Sequence, residues 1–432
     1  MRASKKMYLI FNKNLVVTAV TDSEVIIGDQ SIRYFDGKLN PKKLIGNRLP
    51  RELITMQDFD YREPKDLKIA FVCNWNDQCG ISTYSKFLGY AISPKVKDFR
   101  VFSEHVRHQT AEDEGFVERC WKRGESLVEL ADRLTEWGPD LVVIQHEFGI
   151  FPNAFHFMQL MERIQHIPYV VTMHSVYQHL DKVVYTECIK RAVVHSQAAA
   201  DCLVANGNSV NSYVIPHGCI AVKDHSELWN LARSPYTIMQ FGFGFRYKGV
   251  DQAIHAVTHL VKNDPKFKDL YYIYLSSESP FNTSVHDEYY QYLRGLVKEL
   301  GVERNVAIIR KYQSEQMLNL YMRLFKLAIF PYIVDPSNTV FGASGAIRIA
   351  LANHRPVVAS NSPMFADLDG IVPRPNGYLE LAKEIDEIFS NQQYRDSIVE
   401  RGKKYMADNS WDKTADRYIA LYNQIVNEQM DG

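Results

Sequence analysis

Two stretches of this sequence carry residues suited to holding a phosphate. In the first, Ser344-Gly345-Ala346 opens a run of helical character, Ala346 to Ala352, behind a loop rich in Pro336, Ser337, Asn338 and Gly342. A Ser-Gly pair at a helix start leaves backbone N–H groups free at the positive end of the helix dipole, which favours an anion. The same pattern also describes a plain strand–turn–helix connection. In the second stretch, Gly242-Phe243-Gly244-Phe245-Arg246-Tyr247-Lys248-Gly249 places two cations in a glycine-rich loop. Arg246 and Lys248 together suit a diphosphate, although each alone is equally a surface cation. A different chemistry is offered by Gly80, His146, Glu147 and His174. Imidazole and carboxylate groups accept, donate or move protons. For His174 the competing reading is a satisfied core histidine, and for Glu147 a carboxylate that caps a helix.

The elements around these residues decide where they stand. Lys68 to Cys73 is an apolar run of the buried-strand type, and the Asn74–Gly80 loop and a helix from Ile81 to Ile92 follow it. A second helix, Glu125 to Trp137, repeats Leu127, Leu130, Ala131 and Leu134 on one face and ends at Gly138-Pro139. Further strands are expected at Leu141–Ile144, Tyr169–Met173, Leu203–Ala205 and Tyr213–Ile215. The pattern restarts at Tyr236–Phe241, with strands at Leu270–Leu275, Val306–Ile309 and Leu327–Ile333. Helices are expected at Val250–Val261, Glu315–Phe325, Ala382–Phe389, Tyr394–Met406 and Ala415–Val426. Strands alternating with helices predict doubly wound parallel sheets, whose ligands bind beyond the carboxyl ends of the strands. Gly80, His146, Glu147 and His174 fall on that edge of the first half. Arg246, Lys248 and Ser344 fall on that of the second.

The expected fold class is therefore α/β, with two doubly wound Rossmann-like domains facing a cleft and a small β-rich extension before them. The organisation reads as an extension over 1–66, a first Rossmann-like domain over 67–230, a second over 231–408 and a terminal helix over 409–432. Within the extension, three short β-type runs occupy 7–11, 15–20 and 24–27, and the polar stretch 58–66 reads as a linker. Between Arg33 and Arg51, Lys38, Lys42, Lys43 and Arg48 are opposed only by Asp36. That run is either a solvated face or a surface for a polyanion.

The totals narrow the function classes. A length of 432 residues exceeds one ordinary core. The formal net charge of −1 gives no global argument for nucleic acid or an anionic membrane. Six cysteines without a CxxC pair argue for free thiols rather than zinc. No apolar stretch approaches a membrane span, and the N-terminus lacks the long apolar core of a secretory leader, so a cytoplasmic protein is expected. Across a cleft between two such domains, the simplest ligand is an anionic nucleotide held by the second domain, its reactive end toward the first.

Seven ordered stretches resemble the retaining glycosyltransferases of family four, which have the GT-B fold. They are CGISTY (79–84), QHEFGIF (145–151), VVTMHS (170–175), VIPHG (214–218), FGFGFRYKG (241–249), SGAIRIALANHRPVVAS (344–360) and SWDKTADRYIALYNQIV (410–426). The resemblance covers residues 68–426. The family at large carries two glutamates eight positions apart in the donor loop, where this chain has Phe341 and Ile349. One branch of the family carries a Ser-Gly pair there instead.

The resemblance implies metal-independent sugar transfer from a nucleoside-diphosphate sugar, UDP-linked by expectation, to a hydroxyl, with retention at the anomeric carbon. It implies no cofactor beyond the nucleotide-sugar co-substrate. Gly80, Arg246, Lys248, Ser344, Gly345 and Ala346 would bind the donor. His174 would hydrogen-bond the donor sugar, and Glu147 would orient donor or acceptor hydroxyls. The acceptor is open among glycans, lipids, small molecules, proteins and hydroxymethylated DNA bases, the last through the basic segment 33–51. Two other readings are a nucleotide-sugar epimerase, which needs acid/base carboxylates in the cleft, and a binding module without turnover.

Overall fold

The computed structural model describes residues 67–106, 109–178, 188–206, 210–220, 234–277, 283–313, 315–337 and 339–430, together with four short strands near the start of the chain. The chain divides into two compact units, Met1–Arg62 and Glu63–Gly432. In the first unit, β1 (Tyr8–Phe11) pairs antiparallel with β2 (Val17–Thr21), and β3 (Val25–Ile27) with β4 (Gln30–Ile32). The basic segment 33–51 and the linker reading over 58–66 lie outside the described residues.

The second unit holds two parallel sheets. The strands of the first are β5 (Lys68–Cys73), β6 (Asp98–Glu104), β7 (Val117–Trp121), β8 (Leu141–His146) and β9 (Tyr169–Met173), with β11 (Arg191–Val194) and β12 (Asn211–Val214) following the short β10 (Ser175–Tyr177). Their order is β12-β11-β9-β8-β5-β6-β7. The connecting helices are α1 (Gly80–Ile92), α2 (Val128–Trp137), α3 (Ala154–Arg163) and α4 (Gln197–Ala205). Strands β5 and β8 are buried almost end to end, as both-face coverage by helices requires.

The second sheet comprises β13 (Thr237–Phe243), β14 (Tyr271–Ser277), β15 (Val306–Arg310), β16 (Leu327–Phe330) and β18 (Val357–Ala359), with β17 (Val340–Gly342) lying apart from it. Its order is β15-β14-β13-β16-β18. Helices α5 (Val250–Asn263), α6 (Thr283–Glu299), α7 (Glu315–Leu324), α8 (Gly345–Ala352), α9 (Gly377–Ser390) and α10 (Gln392–Asp408) accompany it. The last helix, α11 (Trp411–Met430), shares a core with the first sheet through Ala415, Tyr418, Tyr422 and Ile425.

Several elements differ from the sequence reading. Leu203–Ala205 is the end of helix α4, not a strand. Ser196 caps that helix by accepting from the Ala199 N–H, so residues 197–201, with alanines at 198–200, start a helix that runs on through Leu203. Strand β16 stops at Phe330 because Pro331 cannot continue the ladder. Strand β17 lies in a stretch expected to be loop. It pairs antiparallel with β10, matching Ser175 to Gly342, Val176 to Phe341 and Tyr177 to Val340. This pair joins the two sheet systems, and Phe341 packs against the core of the first sheet. Gly342 is required there, since a Cβ would sit 2.7 Å from the His174 carbonyl oxygen. A second join lies where the chain crosses between the halves. The Cys219 N–H donates to the Asn409 carbonyl (2.8 Å) and the Trp411 N–H to the Cys219 carbonyl (3.2 Å).

Candidate active site

On the second sheet the residues meet as one hydrogen-bonded chain. Lys248 ends a short 3-10 turn, Arg246–Lys248, which closes at Gly249 with φ of 64°. A Cβ at Gly249 would lie 1.8 Å from the Pro331 carbonyl oxygen, so only glycine lets the loop lie against that strand end. Lys248 is buried, and its backbone carbonyl accepts from Gln240 (2.8 Å). The Lys248 ammonium donates to the Tyr332 hydroxyl at 2.6 Å and lies 4.0 Å from the centre of that ring. The Tyr332 hydroxyl bonds the Ser344 hydroxyl at 3.0 Å. Ser344 is the N-cap of α8, yet its side chain caps no N–H of the helix. With the hydroxyl committed to Tyr332, the first amides of α8 stay open to an anion at exposed Gly345 and half-buried Ala346.

Arg246 stands elsewhere. It is exposed, and its guanidinium lies over Tyr292 (4.9 Å) and Tyr289 (5.8 Å) of α6. The structure brings Lys248, Ser344, Gly345 and Ala346 together and leaves Arg246 to the side.

On the first sheet the chemistry gathers around one ring. Tyr84 of α1 lies 4.7 Å from His174, 5.2 Å from His195, 4.9 Å from His217 and 5.0 Å from Trp411, between ring centres. Its hydroxyl bonds that of Tyr418 on α11 at 2.8 Å. Each histidine has one ring nitrogen committed to a carbonyl oxygen. His174 Nε2 meets Gln145 Oε1 (2.9 Å), His195 Nδ1 meets the Ile215 carbonyl (3.0 Å), and His217 Nδ1 meets the Gly218 carbonyl (2.7 Å). The backbone carbonyls fix the proton on Nδ1 of His195 and of His217, which leaves Nε2 of those two rings an acceptor.

Burial, and then mutual repulsion with His195 and His146, holds His174 well below the usual imidazole range. Burial also lowers His217, aided by the positive charge of Arg348. Burial takes His195 down to about 4 against the opposing pull of the Ile215 carbonyl. All three are neutral near pH 7. His217 closes the gap to the second sheet: a Cβ at Gly345 would stand 3.6 Å from its Nε2.

Three sequence candidates take other positions. His146 is fully buried beneath the sheet edge, stacked on Phe151 (5.6 Å) and edged by Phe148 and Phe157, and burial lowers it to about 3. Glu147 accepts the Gly149 N–H at 2.5 Å, so one of its oxygens holds its own turn. Its other oxygen lies 3.5 Å from the Tyr177 hydroxyl. Gly80 opens α1, exposed, with Cys79 capping no N–H of that helix and no atom within 4 Å of where its Cβ would be.

Tyr332, Arg348, Tyr84, His195 and His217 are not among the sequence candidates, yet each lies against one of them: Tyr332 and Arg348 bond Ser344, Tyr84 and His195 lie beside His174, and His217 stands next to Gly345. Arg348 could have been noticed as the one charge in the otherwise apolar helix GAIRIALA. His217 stood inside the VIPHG stretch, and His195 follows an apolar strand.

No family model matches the chain, and no curated protein matches it in sequence. Solved structures do match. HepE from Anabaena, crystallised with UDP and glucose, aligns with a TM-score of 0.60 at 16% identity, over 84% of this chain and 99% of that one. A sucrose-phosphate synthase from Thermosynechococcus elongatus aligns with a TM-score of 0.65 at 15% identity, over 83% and 99%. A UDP-forming trehalose-phosphate synthase from Burkholderia xenovorans aligns with a TM-score of 0.64 at 12% identity, again over 83% and 99%. The chain has the GT-B fold. In GT-B terms, the site described above occupies the carboxyl edges of both sheets, where the two halves face each other. Among the described residues, no helix is long and apolar enough to cross a membrane.

Proposed function

We propose that this chain is a retaining glycosyltransferase that moves a sugar from a nucleoside-diphosphate sugar to a hydroxyl acceptor. The observation that carries the reading is the Lys248–Tyr332–Ser344 chain, which sets one cation and an uncapped helix start side by side. UDP is the favoured leaving group, because the fold relatives HepE and trehalose-phosphate synthase are described with UDP or as UDP-forming. In the reaction the bond from the anomeric carbon to the phosphate oxygen breaks, and the acceptor oxygen bonds to that carbon on the same face. The acceptor proton passes to the departing phosphate. Lys248 and the first amides of α8 stabilise the charge that develops there, the task a metal ion performs at other phosphate sites. His174, neutral and fixed by Gln145, accepts a hydrogen bond from a donor-sugar hydroxyl through Nδ1. Glu147 offers its second oxygen to a hydroxyl of donor or acceptor. Arg246 and Gly80 border the donor site, with Arg246 resting on Tyr292 and Tyr289.

The acceptor class is set by trial. Glycans, lipids and hydroxymethylated DNA are the candidates, the last on account of the cations between Arg33 and Arg51. Removal of residues 1–66 from an enzyme active on DNA separates a binding role for that segment from none. The first experiment is a thermal-shift panel of UDP, GDP, ADP and CMP with their sugars. A ligand at about 100 times its Kd stabilises by roughly 2.7 kcal/mol. One clear nucleotide is expected to raise Tm, and no shift from any of them counts against the reading.

A further inference from the structure

Arg348 lies in the first turn of α8, where the helix dipole repels a cation, and it is 2% exposed. Packing alone would place an aliphatic residue there, as it does at Ile347, Ala350 and Leu351. The guanidinium instead reaches back along its own helix. Its Nη1 donates to the Ser344 carbonyl at 2.7 Å, while Nη2 donates to Asp367 and to the Tyr405 hydroxyl (3.1 Å). Tyr405 in turn donates to the same Asp367 oxygen at 2.6 Å. The Asp367 charge and the Tyr405 hydroxyl keep the buried guanidinium charged. One side chain thus ties the N-cap of α8 to the 3-10 turn Pro363–Leu368 and to α10. Ser344, held at its carbonyl by Arg348, holds Tyr332 by its hydroxyl, and Tyr332 holds Lys248. The four residues form one connection from the glycine-rich loop to the far side of α8.

We propose that Arg348 is a positioning residue of the donor site, fixing the Ser344 carbonyl and through it the start of α8 and the Tyr332–Lys248 pair. The inference rests on the donor-site reading above. The bonds leave from two separate nitrogens of a planar fork, Nη1 to the carbonyl and Nη2 to the carboxylate and the phenol, a spread that the single ammonium nitrogen of a lysine does not match. Merely holding the fold would require only that the Arg348–Asp367 pair be filled. Apolar replacement of a buried ion pair generally preserves stability.

The test uses the full chain, with UDP as probe and calorimetric Kd and Tm as readouts. Four proteins are compared: wild type, Arg348→Met with Asp367→Leu, Tyr332→Phe, and the combination of all three changes. The expected result is about tenfold weaker UDP binding for the Arg348/Asp367 variant, with a modestly lower Tm because the buried Tyr405 hydroxyl loses both of its partners. In the Tyr332→Phe background the same replacement costs less than about twofold more, because the connection is already cut. Arg348→Lys keeps the ion pair and gives an intermediate loss, which serves as the readout if the paired variant folds poorly. Unchanged UDP affinity in these variants, or the same factor in both backgrounds, overturns the proposal while leaving the donor reading intact. A wild type that binds none of UDP, GDP and ADP removes both.

Discussion

The two edges of the cleft solve opposite electrostatic problems. On the second sheet, charge is kept: Lys248 and Arg348 are both buried, and each is supported by a phenol, a carbonyl or a carboxylate. On the first sheet, charge is refused. His174, His195 and His217 crowd around Tyr84, and burial keeps all three neutral. A leaving diphosphate needs positive charge beside it, whereas a sugar needs acceptors for its hydroxyls. The division fits the donor reading proposed above, and the β10–β17 pair and the Cys219–Asn409 crossing hold the two environments against each other.

Each side can be broken separately. His174→Ala removes the sugar-side acceptor, and kcat is expected to fall roughly 100-fold or more with donor affinity little changed, a loss of the size seen for one positioned transition-state contact. Steady-state kinetics and UDP titration on the same preparation read the split; full activity would put His174 in the core. Lys248→Ala attacks the other side. Losing a charge-assisted bond of about 1.5–3 kcal/mol should weaken UDP binding by roughly 10- to 100-fold, with a small change in Tm. Unchanged affinity removes Lys248 from the phosphate site.

Acid tests the neutral side as a whole. His195 and His146 are neutral in the folded chain, held near 4 and 3 by burial. Unfolded, each takes up a proton near pH 6.5. Below that value the unfolded state binds more protons, so stability present above pH 6.5 is lost as pH falls toward 4 for His195 and 3 for His146. At pH 5 each histidine withdraws at most about 2 kcal/mol, read as a lower urea midpoint than at pH 7.5. His195→Gln and His146→Phe should each flatten that slope, and a slope unaltered in both places the acid sensitivity elsewhere. The smallest change probes the seam. Gly342→Ala brings a Cβ within 2.7 Å of the His174 carbonyl, and its cost of about 1–2 kcal/mol should appear as a lower Tm with kcat reduced through His174. An unaffected Tm means that the seam yields without strain.

How much of this was legible in the chain depended on range. Strands such as Lys68–Cys73 and Tyr169–Met173 are visible because burial on both faces demands an unbroken apolar run. β6 (DFRVFSE) was invisible, since a run with charges at three of seven positions carries no such signature. Leu203-Val204-Ala205 looked like a strand because three apolar residues fit either period, and the deciding Ser196 cap lies seven residues earlier. Lys248 and Ser344 stand out as candidates through local glycine and helix-start patterns. The Lys248–Tyr332 bond that joins them spans 84 residues, and the Tyr84–Tyr418 contact spans 334, so neither leaves a local trace. Arg246 was placed beside Lys248 because the loop sequence makes them near neighbours. Tyr289 and Tyr292 draw it aside from a helix about 40 residues on.

Whether charge on one edge and neutral acceptors on the other together cleave a sugar from a nucleoside diphosphate is read by proton NMR of the full chain with UDP-glucose, supplied with and without hydroxyl acceptors, and with His174→Ala as control. Release of UDP is expected, with the new anomeric bond, to acceptor or water, formed first in the α configuration, and a much slower reaction in the control. A β product, or UDP-glucose and the other nucleotide sugars left intact by a wild type that binds them, would contradict it.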